Sequence, residues 1–262
     1  MLMLLQNKNV VLYGVGGVGG AVARAFAREG ARLFLAARTL EKVETLANEV
    51  ARGGGVAQAA RVDASNEEAV EEHLEQVARK VERIDVLFNA IGMQDVQGRH
   101  LVDMPVEDFL RPIALATRTQ FLTARAVARR MVRQRSGVIM TIIAGPTRRA
   151  ATNVGGFDVA CAAIEGLWRT FAAELGPHGI RLVVVGSAGS PDTPDVRLTG
   201  ELHARATGRT MADLDASSGS DTLLGRLPRV AEVANAAAIM ASDYASAMTG
   251  VIANVTCGYI VD

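Results

Sequence analysis

The chain has 262 residues, 49% of them apolar, and a formal net charge of zero. That length and apolar content exclude a disordered polymer and suffice for a large core. The balanced charge gives no footprint for nucleic acid or a membrane surface. No apolar run reaches the roughly 20 residues of a membrane span. The N-terminal MLMLLQNKNV lacks a basic region and a cleavage site, so no signal peptide is expected. No linker or composition break appears, so residues 1–262 read as one domain. The two cysteines, Cys161 and Cys257, lie far apart in no metal-ligand spacing; free thiols and a cytoplasmic location are expected.

In chain order, Asn9–Tyr13 reads as a buried strand, Gly19–Arg28 as a helix, Arg32–Ala36 as a strand and Leu40–Arg52 as a helix. Val56–Val62 is a third strand, followed by a charged helix over Glu67–Val81 and a fourth strand over Ile84–Asn89. A long helix covers Glu107–Arg135, a strand Gly137–Ile143, a helix Val154–Leu175 and a strand Arg181–Val185. Residues 190–227 are polar, interrupted by Gly and Pro, and lack a strand pattern; a helix over Arg229–Ser242 and a strand over Val251–Val255 close the chain. Strands alternating with helices predict βαβ units and a parallel sheet. Continuous apolar strands such as Val183–Val185 fit a sheet covered on both faces. The predicted class is therefore α/β, a Rossmann-type doubly wound parallel sheet whose ligands sit at the carboxyl ends of the strands.

The first strand runs into Gly14-Val15-Gly16-Gly17-Val18-Gly19, which satisfies G-x-G-x-x-G between a strand and a helix. Such a loop turns tightly, brings backbone N–H groups to a pyrophosphate and lets the helix pack closely, so it predicts a dinucleotide. The bland alternative is a tight turn without ligand, in which this many glycines would be a needless loss of backbone order. The second strand ends in Ala36-Ala37-Arg38-Thr39, without the acid that takes a ribose 2′-OH. Arg38 is placed to meet a 2′-phosphate, which favours NADP over NAD.

Further motifs resemble those of the short-chain dehydrogenase/reductase family along essentially the whole chain. They are Val62-Asp63 after the third strand, Asn89-Ala90-Ile91-Gly92 after the fourth, the stretch Glu174–Arg181, Ala188-Gly189-Ser190-Pro191-Asp192-Thr193, and the turn from Ser242-Asp243 to Thr249-Gly250. The glycine loop is one residue shorter than the family's pattern. The resemblance implies cofactor contacts from Gly14, Gly16, Gly17, Val18, Gly19, Arg38, Asp63, Asn89, Ala90, Ile91, Gly189 and Thr193. It also implies a small-molecule substrate, a homo-oligomer (tetramer or dimer), and a catalytic Ser, Tyr and Lys with an Asn on the preceding helix. Alignment puts Ala144 at the Ser, Phe157 at the Tyr, Cys161 at the Lys and Ala116 at the Asn. The only tyrosines are Tyr13, Tyr244 and Tyr259, and no lysine follows Lys80, so no Y-x-x-x-K motif exists in the sequence.

Phe157 and Cys161, at i and i+4, should share the helix face toward the cofactor. Replacement proton donors are sought in Asp95 and His100, on the loop after the fourth strand, in Asp158 and in Ser187. Cys161 is more readily an inert buried thiol than a nucleophile. Arg148 and Arg149 are candidates for an anionic substrate, His73 and His178 read as surface residues, and residues 190–227 read as a substrate lid. The apolar runs Ile164–Phe171 and Val251–Val255 suggest a subunit interface. The expected function is an NADP(H)-dependent oxidoreductase with a rebuilt, largely apolar active site. Two alternatives stay open: a cofactor-binding sensor or assembly partner without redox turnover, and a non-redox cyclase or dehydratase on the same fold.

Overall fold

In the computed structural model, which describes residues 3–144 and 151–261, strands and helices alternate along the chain. They are β1 (Asn9–Tyr13), α1 (Gly17–Arg28), β2 (Arg32–Ala37), α2 (Leu40–Arg52), β3 (Val56–Arg61), α3 (Glu67–Ala78), β4 (Val86–Asn89), α4 (Val106–Gln134) and β5 (Gly137–Ala144). They continue as α5 (Phe157–Leu175), β6 (Ile180–Ser187), α6 (Pro194–Thr207), α7 (Met211–Ser220), α8 (Val230–Ala241) and β7 (Val251–Val255). The strands pair in parallel in the order β3-β2-β1-β4-β5-β6-β7. After β3 the chain returns past β1 to lay β4 on its other side, so the switch point of this Rossmann-type sheet lies between β1 and β4.

The strands are apolar throughout because both faces are covered. Val11, Leu87, Ile139, Leu182 and Val184 point into a core shared with α3, α4 and α5. Val10, Leu12, Val86, Phe88, Met140 and Val183 point the other way, against α1, α2 and α8. Among the described residues no helix is long and apolar enough to cross a membrane. Both cysteines are free thiols.

Several boundaries differ from expectation for local reasons. The helix expected from Val154 begins at Phe157, because Asn153 and Gly155 adopt left-handed φ values of 61° and 60°. A Cβ on Gly156 would meet the Phe109 carbonyl oxygen at 2.0 Å, so this entry is wedged against α4. Residues 190–227 hold two helices, α6 and α7. The second starts on a capping box in which Asp213 N–H donates to Thr210 Oγ1 (3.1 Å) and Thr210 N–H to Asp213 Oδ2 (3.0 Å). Ile164, Trp168 and Phe171 are buried in the subunit's own core, so that run does not by itself mark an interface.

His73, expected at the surface, is buried. Its Nδ1 and the Tyr13 hydroxyl share a hydrogen bond at 2.8 Å, with the rings edge to face. Burial, helped by Lys80, pushes the His73 pKa down to about 4, and burial holds the Tyr13 hydroxyl protonated well above its usual range. The unfolded imidazole titrates near 6.5, so on acidification the unfolded chain takes up this proton first. The stability His73 permits is whole above about pH 6.5 and is lost as pH falls toward 4, by about 3 kcal/mol. Urea midpoints measured across that window for the parent and His73→Phe should show the smaller acid loss in the variant. At pH 7 the variant should be less stable by about 1–3 kcal/mol, because the buried Tyr13 hydroxyl loses its hydrogen-bond partner.

Candidate functional site

The glycine loop leaves β1 where the strand tips crowd together. Gly14 has φ +91°, and a Cβ there would stand 2.2 Å from the Ala90 carbonyl oxygen at the tip of β4. A Cβ on Gly19 would lie 2.0 Å from the Gly14 oxygen. Only hydrogen fits at either position, so the start of α1 is drawn against the sheet with its free N–H groups facing the crevice. Gly16 caps α1, Gly17 and Val18 open it, and its first turn carries no acid.

At the adenosine end, Asp63 follows β3. Hydrogen bonds from the Ser65 hydroxyl (2.7 Å) and Ser65 N–H (2.9 Å) hold its carboxyl below the usual range, with Arg38 and Arg118 adding charge. Arg38 extends from the tip of β2. With its amide oxygen turned to the guanidinium, Gln94 accepts from Arg38 Nη1 at 2.7 Å and Nη2 at 2.8 Å. Gln94 adopts a left-handed φ of 55°. Arg38 thus stands between Asp63 and Gln94 beside the β1–β4 crevice.

Under this rim runs a buried polar chain. Asn89 Nδ2 donates to Gln120 Oε1 (2.9 Å) and Thr123 Oγ1 (2.8 Å), Gln120 Nε2 donates to Thr141 Oγ1 (2.9 Å), and the Thr141 hydroxyl donates to the Asn89 carbonyl (3.2 Å). It ties the tips of β4 and β5 to α4 beside Ala90 and Ile91. Asn89 belongs to a recognised motif. Gln120 and Thr123 were missed, although two polar residues at i and i+3 on the apolar face of a helix are a legible signal.

Of the four residues at the expected catalytic positions, Phe157 and Cys161 lie one turn apart on α5. Ala116 and Cys161 are buried in one cluster, with Phe157 packed against it. The Ala144 main chain hydrogen-bonds Cys161. Burial pushes the Cys161 thiol up to about 12, and the Asp158, Glu165 and Asp95 carboxylates push the same way. The thiol is therefore un-ionised and a poor nucleophile at neutral pH. Asp158 is half-buried, and burial raises its carboxyl pKa. Ser187 pairs in register with Ala144 at the ends of β6 and β5. The Ser187 and Ser190 hydroxyls are buried with no hydrogen-bond partner among the described residues. Beside them lie Gly189, with φ +92°, and Thr193, whose hydroxyl donates to the Ser190 carbonyl at 2.8 Å. A glycine cradle at one end and orphaned hydroxyls at the other fit a dinucleotide lying along the strand tips.

Asp95 and His100 part company. His100 is exposed ahead of a 3₁₀ turn over Leu101–Asp103. Asp95 Oδ2 instead accepts from Gln97 Nε2 at 2.6 Å, and Gln97 Oε1 meets His203 Nε2 at 2.7 Å. His203 lies on α6, in a stretch with no motif, and only the fold brings it here. Its burial lowers its pKa. Arg148 and Arg149 lie outside the described residues.

A family model described as enoyl-(acyl carrier protein) reductase matches residues 14–260. The uncharacterized oxidoreductase YxbG of Bacillus subtilis is 30% identical over 247 residues, covering 94% of this chain and 88% of its own. Among solved structures, a short-chain type dehydrogenase/reductase from Mycobacterium marinum superposes with a TM-score of 0.83 at 28% identity, over 100% of this chain and 98% of its own. An NAD+-bound xylitol dehydrogenase superposes with a TM-score of 0.91 at 25% identity, over 97% and 99%.

The Gly14 contact is open to a direct test. Gly14→Ala should cost at least about 2 kcal/mol, since the strained φ and the backbone clash act together, and should abolish NADPH binding. Gly176→Ala is the control: Gly176 is helical, with nothing within 4 Å of its Cβ position. Its unfolding free energy should stay within about 1 kcal/mol of the parent's.

Proposed function

The chain belongs to the short-chain dehydrogenase/reductase family, an oxidoreductase family that binds NAD(P), and from that footing we propose an NADP(H)-dependent oxidoreductase with a rebuilt proton-handling site. The observation that carries the choice of NADP is Arg38: a guanidinium at the tip of β2, where no acid stands to take a ribose 2′-OH, flanked by Asp63 and Gln94. Its planar fork suits a 2′-phosphate.

On this reading Gly14, Gly16, Gly17, Val18 and Gly19 hold the pyrophosphate, and Asp63 meets the adenine. Asn89, Ala90 and Ile91 wall the ribose, while Gly189 and Thr193 flank the nicotinamide end with Ser187. The bound nicotinamide supplies or accepts the hydride. Residues 1–262 act as one domain in which residues 190–227 cover a small-molecule substrate. Assembly into a homo-oligomer would cover the exposed Leu110, Phe121 and Val159 on α4 and α5.

Phe157, Cys161, Ala144 and Ala116 line the reacting end without a ready proton, since the Cys161 thiol is protonated and buried. Such a pocket suits a substrate that accepts hydride without prior protonation, an iminium ion or a conjugated system. Asp95, oriented through Gln97, is the group best held to stabilise a cation or move a proton there; Asp158 is the second.

Two measurements test this. In fluorescence titrations the parent should bind NADPH at least about tenfold more tightly than NADH, the worth of one charge-assisted contact, and Arg38→Asp should reverse that order. Equal affinity in the parent would sink the NADP assignment. With NADPH, cyclic iminium and conjugated substrates should be consumed faster than simple ketones. Asp95→Asn should then lower kcat by about a hundredfold with unchanged NADPH affinity, whereas His100→Ala should leave kcat alone.

A further inference from the structure

The first turn of α6 leans on the glycine loop. The Thr193 Cβ stands 3.0 Å from the position a Cβ on Gly17 would take, and Asp195 Oδ2 stands 3.5 Å from that of Gly16. This turn is held from behind. The Asp192 carboxylate accepts from Val230 N–H at the start of α8 (3.0 Å), and the Thr193 N–H and hydroxyl both donate to the Ser190 carbonyl (2.9 and 2.8 Å). Farther along, His203 ties α6 to Gln97. The helix is fixed at both ends, with the Asp195 carboxylate set over the phosphate loop.

That loop is built for an anion. It ends in the N-terminus of α1, whose partial positive charge and free N–H groups favour negative charge. The first turn of α1 supplies no acid of its own, so Asp195 reaches across from α6 to where one is favoured. A pyrophosphate is drawn to the same place for the same reason, and the two anions repel at such separations.

We infer that Asp195 is a charge gate on the dinucleotide site: its carboxylate stands in for the pyrophosphate in the free protein and must turn away when the dinucleotide enters. The inference rests on the dinucleotide reading above. It assigns Asp195 a role different from that of Arg38. The pyrophosphate is common to both nucleotides, so Asp195 lowers affinity for NADPH and NADH alike, while Arg38 sets the ratio between them.

The test is titration of the parent, Asp195→Asn and Asp195→Glu with NADPH and with NADH. The Asp195 side chain is exposed, so the isosteric change leaves the core untouched. Asp195→Asn should tighten both nucleotides by about three- to tenfold, as one screened charge pair allows, without changing the NADPH-to-NADH ratio. The gain should fade at about 1 M salt, where the screening length shrinks to about 3 Å. Asp195→Glu, which keeps the charge, should stay within about twofold of the parent, far short of a charge-pair gain. Unchanged or weaker binding of both nucleotides by Asp195→Asn overturns the gate while leaving the dinucleotide reading intact. If neither the parent nor any variant binds either nucleotide, the dinucleotide reading falls and the gate falls with it.

Discussion

The main chain of Gly14 lies against that of Ala90 so closely that a methyl group on the glycine would reach within 2.2 Å of the Ala90 oxygen. Two strand tips are thereby brought side by side at the one place where the sheet order reverses. From below, the chain from Asn89 through Gln120 and Thr123 to Thr141 fixes the same tip of β4 against α4 and β5. Clamped from both sides, β4 becomes a rigid root for the loop that follows. Gln94, Asp95 and Gln97 radiate from that root toward Arg38, the apolar pocket and α6 in turn. The four linked side chains fix the relative placement of β4, β5 and α4, although Asn89 Oδ1 is buried with no partner among the described residues.

The apolar character of the reacting end has an electrostatic side. Phe157, Cys161 and Ala116 pack in one apolar cluster, so the Cys161 thiol sits among groups that solvate a charge poorly. Burial does most to hold the Cys161 thiol protonated, and the Asp158, Glu165 and Asp95 carboxylates add smaller pushes in the same direction. On the proposed reading such a site would work by field and fit more than by proton traffic.

Most of the scaffold was legible because its punctuation is local. β1, α2 and β7 occupy the expected residues, each bounded by Gly, charged or polar breaks that act within a few positions. The start of α5 was misplaced although Gly155 and Gly156 are local breakers: Asn153 and Gly155 are left-handed, and Gly156 is also wedged against the Phe109 carbonyl from a segment some 45 residues earlier. His73 was misread because Glu71, Glu72 and Glu75 surround it in sequence. Yet Val70, His73, Leu74 and Val77 form one buried helical stripe that the spacing alone could have exposed. Gln97 and His203 carried no such signal, since their meeting is decided by where α6 lands. The glycine loop, Arg38 and Asp63 stand out in the sequence because each lies in a short contiguous motif, whereas the partners that orient Asp95 come from separate elements.

The direction of one amide carries a last consequence. Gln97 gives its N–H to Asp95, so only its oxygen is left for His203, and the hydrogen in that contact belongs to the histidine. With its pKa lowered by burial, His203 is neutral at physiological pH and is held as the Nε2–H tautomer. Its Nδ1 keeps a lone pair. On α6 the imidazole's other nitrogen is therefore an acceptor and not a donor, and a group that engages it there must bring its own hydrogen.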